Sequence, residues 1–145
     1  MARQGFPGMA QQGSPHRTQR GHASLAQAVS WLGALVLATF AGLQFNDPDP
    51  AVWVAIYAAG SLCCAMSARS RLAWQWPAAL ASVAVVWALT LTPAVARAPL
   101  GDVFGGRGMM APGIEDVREM MGLFMLASAM VAVALVERRK ATGKA

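Results

Sequence analysis

The sequence predicts an all-α membrane protein, a bundle of four transmembrane helices with both termini cytoplasmic, and three observations predict it. Hydrophobic residues make up 56% of the 145-residue chain and charged residues 13%, with a mean hydropathy of +0.42. Soluble domains hold about 45 to 50% apolar and about 25% charged residues. The apolar excess falls in blocks near the ~20 residues that cross a bilayer. Basic residues stand at the ends of those blocks instead of along one polar face, so the net charge of +5 reads as membrane topology and excludes a nucleic-acid footprint.

The elements follow in order. Residues 1–22, rich in Gly, Gln, Pro and Arg, have little apolar periodicity and are expected to form a disordered cytoplasmic tail. One transmembrane domain then covers residues 23–140, with spans expected at about 25–45, 51–67, 74–95 and 117–137, an external loop at 96–114 and a short cytoplasmic tail at 141–145. A signal-peptide reading of the first run, with Arg17 and Arg20 as its basic region and Thr39-Phe40-Ala41 as its cleavage site, is disfavoured because the run exceeds the usual ~7 to 15 residues and the preceding tail is long.

Orientation follows from the cations. With the N-terminus inside, Arg3, Arg17, Arg20, Arg69, Arg71, Arg138, Arg139, Lys140 and Lys144 are cytoplasmic, and only Arg97, Arg107 and Arg118 face out. The acids divide the other way: Asp47, Asp49, Asp102, Glu115, Asp116 and Glu119 lie outside, Glu137 alone inside. Trp74 and Trp76, after Arg69 and Arg71, are placed to anchor the inner interface. If the chain is prokaryotic, this architecture belongs in the bacterial inner membrane as a multi-pass protein.

Asn46-Asp47-Pro48-Asp49-Pro50 is the hinge between the first two spans. Proline is tolerated at the first helical position and Asp is a favoured N-cap, so Asp49-Pro50 starts the second span and Asp47-Pro48 repeats the pattern one step earlier. A capped, rigid turn explains Asn46, Pro48, Pro50 and one acid; one cap does not need two. Trp53 and Tyr57 follow Asp49 by four and eight residues, near the same helix face, and serve either as interfacial anchors or as walls for a cation or lipid headgroup.

A second acidic cluster opens the fourth span. Glu115, Arg118, Glu119 and Gly122 share one helix face, and Gly122 lets a neighbouring helix approach just below the charges. Pairing of Arg118 with Asp47 or Asp49 is expected, with Glu115 and Glu119 completing an oxygen-rich site or bonding the hinge.

Other chemistries are poorly supplied. Cys63 and Cys64 are adjacent within an apolar run, which suits neither a zinc pair nor a disulfide framework. His16 and His22 both lie in the tail, so bis-histidine haem ligation in the bundle is excluded. Gly105-Gly106-Arg107-Gly108-Met109-Met110 lacks the P-loop pattern, and its segment reads as a connector or a lid. Met109, Met110, Met120, Met121 and Met125 offer thioethers for Cu(I), yet methionine is ordinary packing in a span. No calcium loop, Ser-His-Asp, Cys-His or HExxH constellation is present, which leaves carboxylates as the sole acid–base groups for catalysis.

Gln44-Phe45-Asn46-Asp47-Pro48-Asp49-Pro50 followed by Trp53 and Tyr57, with Glu115, Arg118, Glu119 and Gly122 before the last span, resembles the transmembrane protein 220 family. The resemblance covers about Leu25 to Val136 and excludes the first 22 residues and the Met-rich loop. It implies a small multi-span membrane protein and supplies no activity or cofactor.

The leading expectation is a ligand-binding site at the outer end of the bundle, made by Asp47, Asp49, Glu115, Arg118 and Glu119 with Trp53 and Tyr57 as walls. Its occupant is a small polar or cationic ligand, a divalent ion or a lipid headgroup. The rival is an accessory subunit whose charges form an internal salt-bridge clasp and whose surface docks on a membrane-protein partner or a second copy of itself. A membrane enzyme is the third reading.

Overall fold

Five α-helices and one 3₁₀ turn make up the described residues, 16–46, 49–96 and 113–143 of the computed structural model, whose side chains are described from Leu25 onward. Helix α1 spans His16–Leu43 and passes through the 3₁₀ turn Gln44–Asn46; α2 spans Pro50–Ala68, α3 Gln75–Thr90, α4 Thr92–Val95 and α5 Ile114–Thr142. No strand occurs among the described residues. Residues 1–15, 47–48, 97–112 and 144–145 lie outside them, so the expectations for Asp47, Pro48, most of the external loop and both chain ends rest on sequence.

Three boundaries differ from the sequence reading, the plainest of them at α5, which runs Ile114–Thr142 and so takes in residue 114 of the expected loop and residues 141–142 of the expected tail. Helix α1 begins at His16, so residues 16–22, assigned by composition to a disordered tail, are helical. No proline follows Pro15 until the hinge, and a nucleated helix extends by one hydrogen bond per added residue. The single third span expected over Trp74–Val95 is interrupted at Leu91, between α3 and α4. Pro93 has no N–H to give the ladder, and the Leu91 amide bonds instead to the Ala88 carbonyl three residues back, at 3.2 Å.

Three segments, Leu25–Asn46, Pro50–Ala68 and Ile114–Thr142, are long and apolar enough to cross a membrane, while Gln75–Thr90 is an apolar but shorter helix. Large hydrophobic side chains face outward from every long helix: Leu32 and Leu35 on α1, Leu62 on α2, Val86 and Leu89 on α3, Val131 and Leu135 on α5. In water such a surface is an aggregation hazard; in hydrocarbon it is the solvent-compatible face.

The helices pack as two antiparallel pairs, α1 with α2 and α3 with α5, joined mainly along α2 and α5. Lipid is as apolar as leucine, so close approach and dispersion replace water exclusion as the source of cohesion, and small residues line the contacts. Helix α3 buries Pro77, Ala81, Ala84 and Ala88, with Ala84 and Ala88 fully covered. Gly60 of α2 stands where Leu37 of α1 and Leu126 of α5 converge: a Cβ there would lie 2.6 Å from Leu126 Cδ1 and 3.1 Å from Leu37 Cδ1. Leu123, Leu126 and Met130 complete the buried centre on α5. Between α2 and α3 the chain turns at Ser70, a left-handed residue (φ 53°), and the Arg71 amide bonds to the Met66 carbonyl at 3.0 Å in the manner of a Schellman closure.

Candidate functional site

The two ends of the bundle are built from different chemistry. At the end where α2 and α5 begin, Pro50 occupies the first turn of α2, where its missing N–H leaves no intrahelical bond unmade. Asp49 sits at the N-cap position (φ −118°, ψ 60°) but makes no side-chain capping hydrogen bond, which corrects the expectation of a capped helix. Its backbone has left the conformation in which the carboxylate reaches back to the first amides, and the side chain lines a cavity instead. Helix α5 starts after Gly113 (φ 86°), a left-handed conformation that glycine adopts without steric cost. Glu115 and Asp116 then occupy its first turn, where the helix dipole favours negative charge.

These starts enclose a cavity of about 660 Å³. Its walls are Leu43, Gln44 and Asn46 from the end of α1 and its 3₁₀ turn, Asp49, Trp53 and Tyr57 from α2, and Ile114, Glu115, Arg118 and Glu119 from α5. Asp49, Glu115 and Arg118 are exposed, Glu119 is half-buried, and Trp53 and Tyr57 are 6% and 3% exposed. Charge therefore lies toward the mouth and aromatic surface at the floor. The floor is stiffened from behind, since Trp53 stacks on Trp87 of α3 (ring centroids 4.8 Å apart) and Tyr57 on Phe40 of α1 (5.8 Å). The Tyr57 ring reaches over Gly122, and a Cβ on Gly122 would collide with the tyrosine hydroxyl.

Of the residues expected at this site, Asp49, Trp53, Tyr57, Glu115, Arg118 and Glu119 thus share one cavity, and Asp47 lies outside the described residues. The expected Arg118–Asp49 ion pair is not among those the described residues form. Both groups are exposed at the mouth, where hydrated charges gain little from contact. Leu43, Gln44 and Ile114 were not anticipated as lining residues, Asn46 was expected only as part of the turn, and Phe40 and Trp87 were not anticipated as supports. The apolar Ile114 beside the Glu115-Asp116 pair was the available signal for the first of these, whereas nothing in one apolar run tells which neighbour an aromatic ring meets.

The opposite end carries a polar contact that sequence reasoning missed. Glu137, only 6% exposed, accepts hydrogen bonds at Oε1 from the Ser67 hydroxyl of α2 (2.6 Å) and from Lys140 Nζ (2.6 Å). Arg69 lies over the Trp31 ring at 4.5 Å and Arg138 over Trp74 at 5.7 Å. Arg139 and Lys140 occupy the last turn of α5, where cations complement the helix dipole. The signal for Glu137 is its place directly after Leu135-Val136 with a lysine three residues on.

A family model described as transmembrane family 220, helix, matches residues 36–135, about two thirds of the chain and every described residue that lines the cavity. No curated protein and no solved structure matches the chain.

Proposed function

Because this chain belongs to transmembrane family 220, we propose that it is a small multi-pass membrane protein with a ligand site at its hinge end. In this reading α1, α2, the α3–α4 segment and α5 cross the bilayer in alternation, both termini are cytoplasmic, and the cavity opens to the other side. Residues 75–95, taken together, reach the ~20-residue length of a span. Arg69, Arg71, Arg138, Arg139 and Lys140 gather at one end, against Arg118 alone among the described residues at the other, which supports the orientation.

The observation that carries the binding role is the lining of the cavity: four charged side chains converge on an aromatic floor inside a volume typical of small-molecule sites. A structural corner needs no such concavity. Native mass spectrometry of the full-length protein released from nanodiscs tests the reading. A small molecule or lipid retained by the wild type and lost from Asp49→Asn/Glu115→Gln supports it, whereas equal spectra contradict it.

A second reading, an accessory subunit, is favoured by one feature: α1 packs on α2, and most of its apolar segment is exposed. A membrane-protein partner co-purifying in strict stoichiometry, and lost on changing Leu32 and Leu35 but not Asp49, would select it.

A further inference from the structure

Resting on the binding role proposed above, we infer that the hinge-end cavity takes a zwitterion, an ammonium group joined by a short linker to a phosphate, as in an aminophosphate lipid headgroup. The charge pattern of the walls is the first argument. Asp49 of α2 and Glu115, Arg118 and Glu119 of α5 line the same space, three carboxylates and one guanidinium. A simple cation would meet the carboxylates but leave Arg118 opposed by like charge, and a simple anion would face three carboxylates. A ligand carrying both signs complements the exposed Asp49 and Glu115 on one hand and Arg118 on the other, and the planar guanidinium fork matches two phosphate oxygens at once.

The floor is the second argument. Trp53 and Tyr57 line the cavity from buried positions, 6% and 3% exposed, and their packing on Trp87 and Phe40 holds those rings in place without the ligand. Rigid aromatic surface beside carboxylates is how proteins receive ammonium groups. The ammonium then lies toward the floor, and the phosphate lies at the mouth beside Arg118.

Size is the third argument. A volume of about 660 Å³ far exceeds a bare ion, and no group of three His, Cys, Asp or Glu able to hold a metal occurs among the described residues. The cavity is lined by residues of the α1 end and its 3₁₀ turn, of α2 and of α5. Exposed Leu43 at its rim brings the apolar flank of α1 up to the mouth, so a headgroup entering from the lipid side and one entering from water have the same chemistry to meet.

The test uses full-length protein in detergent with four soluble probes, glycerophosphoethanolamine, ethanolamine, inorganic phosphate and glycerol phosphate, and two lipids, phosphatidylethanolamine and phosphatidylglycerol, followed by calorimetry and native mass spectrometry. The expected result is binding of glycerophosphoethanolamine or phosphatidylethanolamine at least about tenfold tighter than of the probes lacking one charge. Arg118→Gln, at an exposed position outside the core, then reduces discrimination between glycerophosphoethanolamine and ethanolamine by about tenfold, and Glu115→Gln reduces preference for phosphatidylethanolamine over phosphatidylglycerol. Binding of the lipid alone identifies a membrane source, and equal binding of the soluble headgroup an aqueous one. Ethanolamine binding as tightly as the zwitterions overturns the inference while leaving the ligand site standing. Failure of all six probes overturns it too, and the nanodisc experiment above decides separately whether the cavity binds anything else.

Discussion

The hinge end and the basic end of this bundle hold the same kinds of side chain in opposite states. Glu137 is buried, and its Oε1 is met by Ser67 from a second helix and by Lys140 from its own. Asp49, Glu115 and Arg118 are exposed around an open volume and form no ion pair with one another among the described residues. A buried carboxylate must be satisfied by the protein itself, because an unmet buried acceptor costs on the order of 1 to 3 kcal/mol and more when charged. Charges at a mouth are satisfied by water and remain exchangeable for a ligand. Burial, not residue type, separates the carboxylate that joins helices from Asp49 and Glu115, which are left to water.

The contrast is broken most directly at Glu137. Glu137→Ala leaves the Ser67 hydroxyl buried at the α2–α5 seam without its acceptor and is expected to destabilise the fold by about 2 to 3 kcal/mol, read as a lower unfolding midpoint in detergent. Glu115→Gln at the hinge end should move that midpoint by less than about 0.5 kcal/mol, since surface substitutions away from packing do little. Equal losses at the two sites would erase the distinction.

Gly122→Ala ranks next. Its methyl would overlap the Tyr57 hydroxyl, and overpacking of this kind costs about 1 to 3 kcal/mol. Tyr57→Phe removes the clashing atom, so the double variant should be more stable than the sum of the two single changes. Strict additivity would mean that Tyr57 does not cover Gly122.

How much of this was legible beforehand follows from the same physics. Apolar blocks and their cationic ends give helices and a membrane, because hydrocarbon leaves the backbone few other choices. The alignment of Asp49, Trp53 and Tyr57 on one side and of Glu115, Arg118 and Glu119 on the other is helix periodicity, and both sets line the cavity. Illegible were the contacts that depend on which helix lies next to which: Trp87 behind Trp53, Phe40 behind Tyr57, and Ser67 against Glu137. The break at Leu91 and the uncapped Asp49 show the other limit, since Pro93 and Asp49 were visible as residue types while the backbone angles that decide their effect were not.

Ser70 provides a smaller expected effect than Glu137 or Gly122 and sharpens the comparison at the basic end. Its left-handed backbone costs a non-glycine residue roughly 1 kcal/mol, so Ser70→Gly should stabilise the turn by up to about that amount without changing any binding at the proposed site. A change in binding would mean that the two ends are coupled.

Convergence of the α2 and α5 starts on one cavity is the claim on which the rest stands. In a Cys63→Ala/Cys64→Ala background, Asp49→Cys/Glu115→Cys should be joined by a short bifunctional thiol reagent in the folded protein, as Ser67→Cys/Glu137→Cys at the other end should be. Cross-linking of the Ser67–Glu137 control with none between positions 49 and 115 would contradict the account.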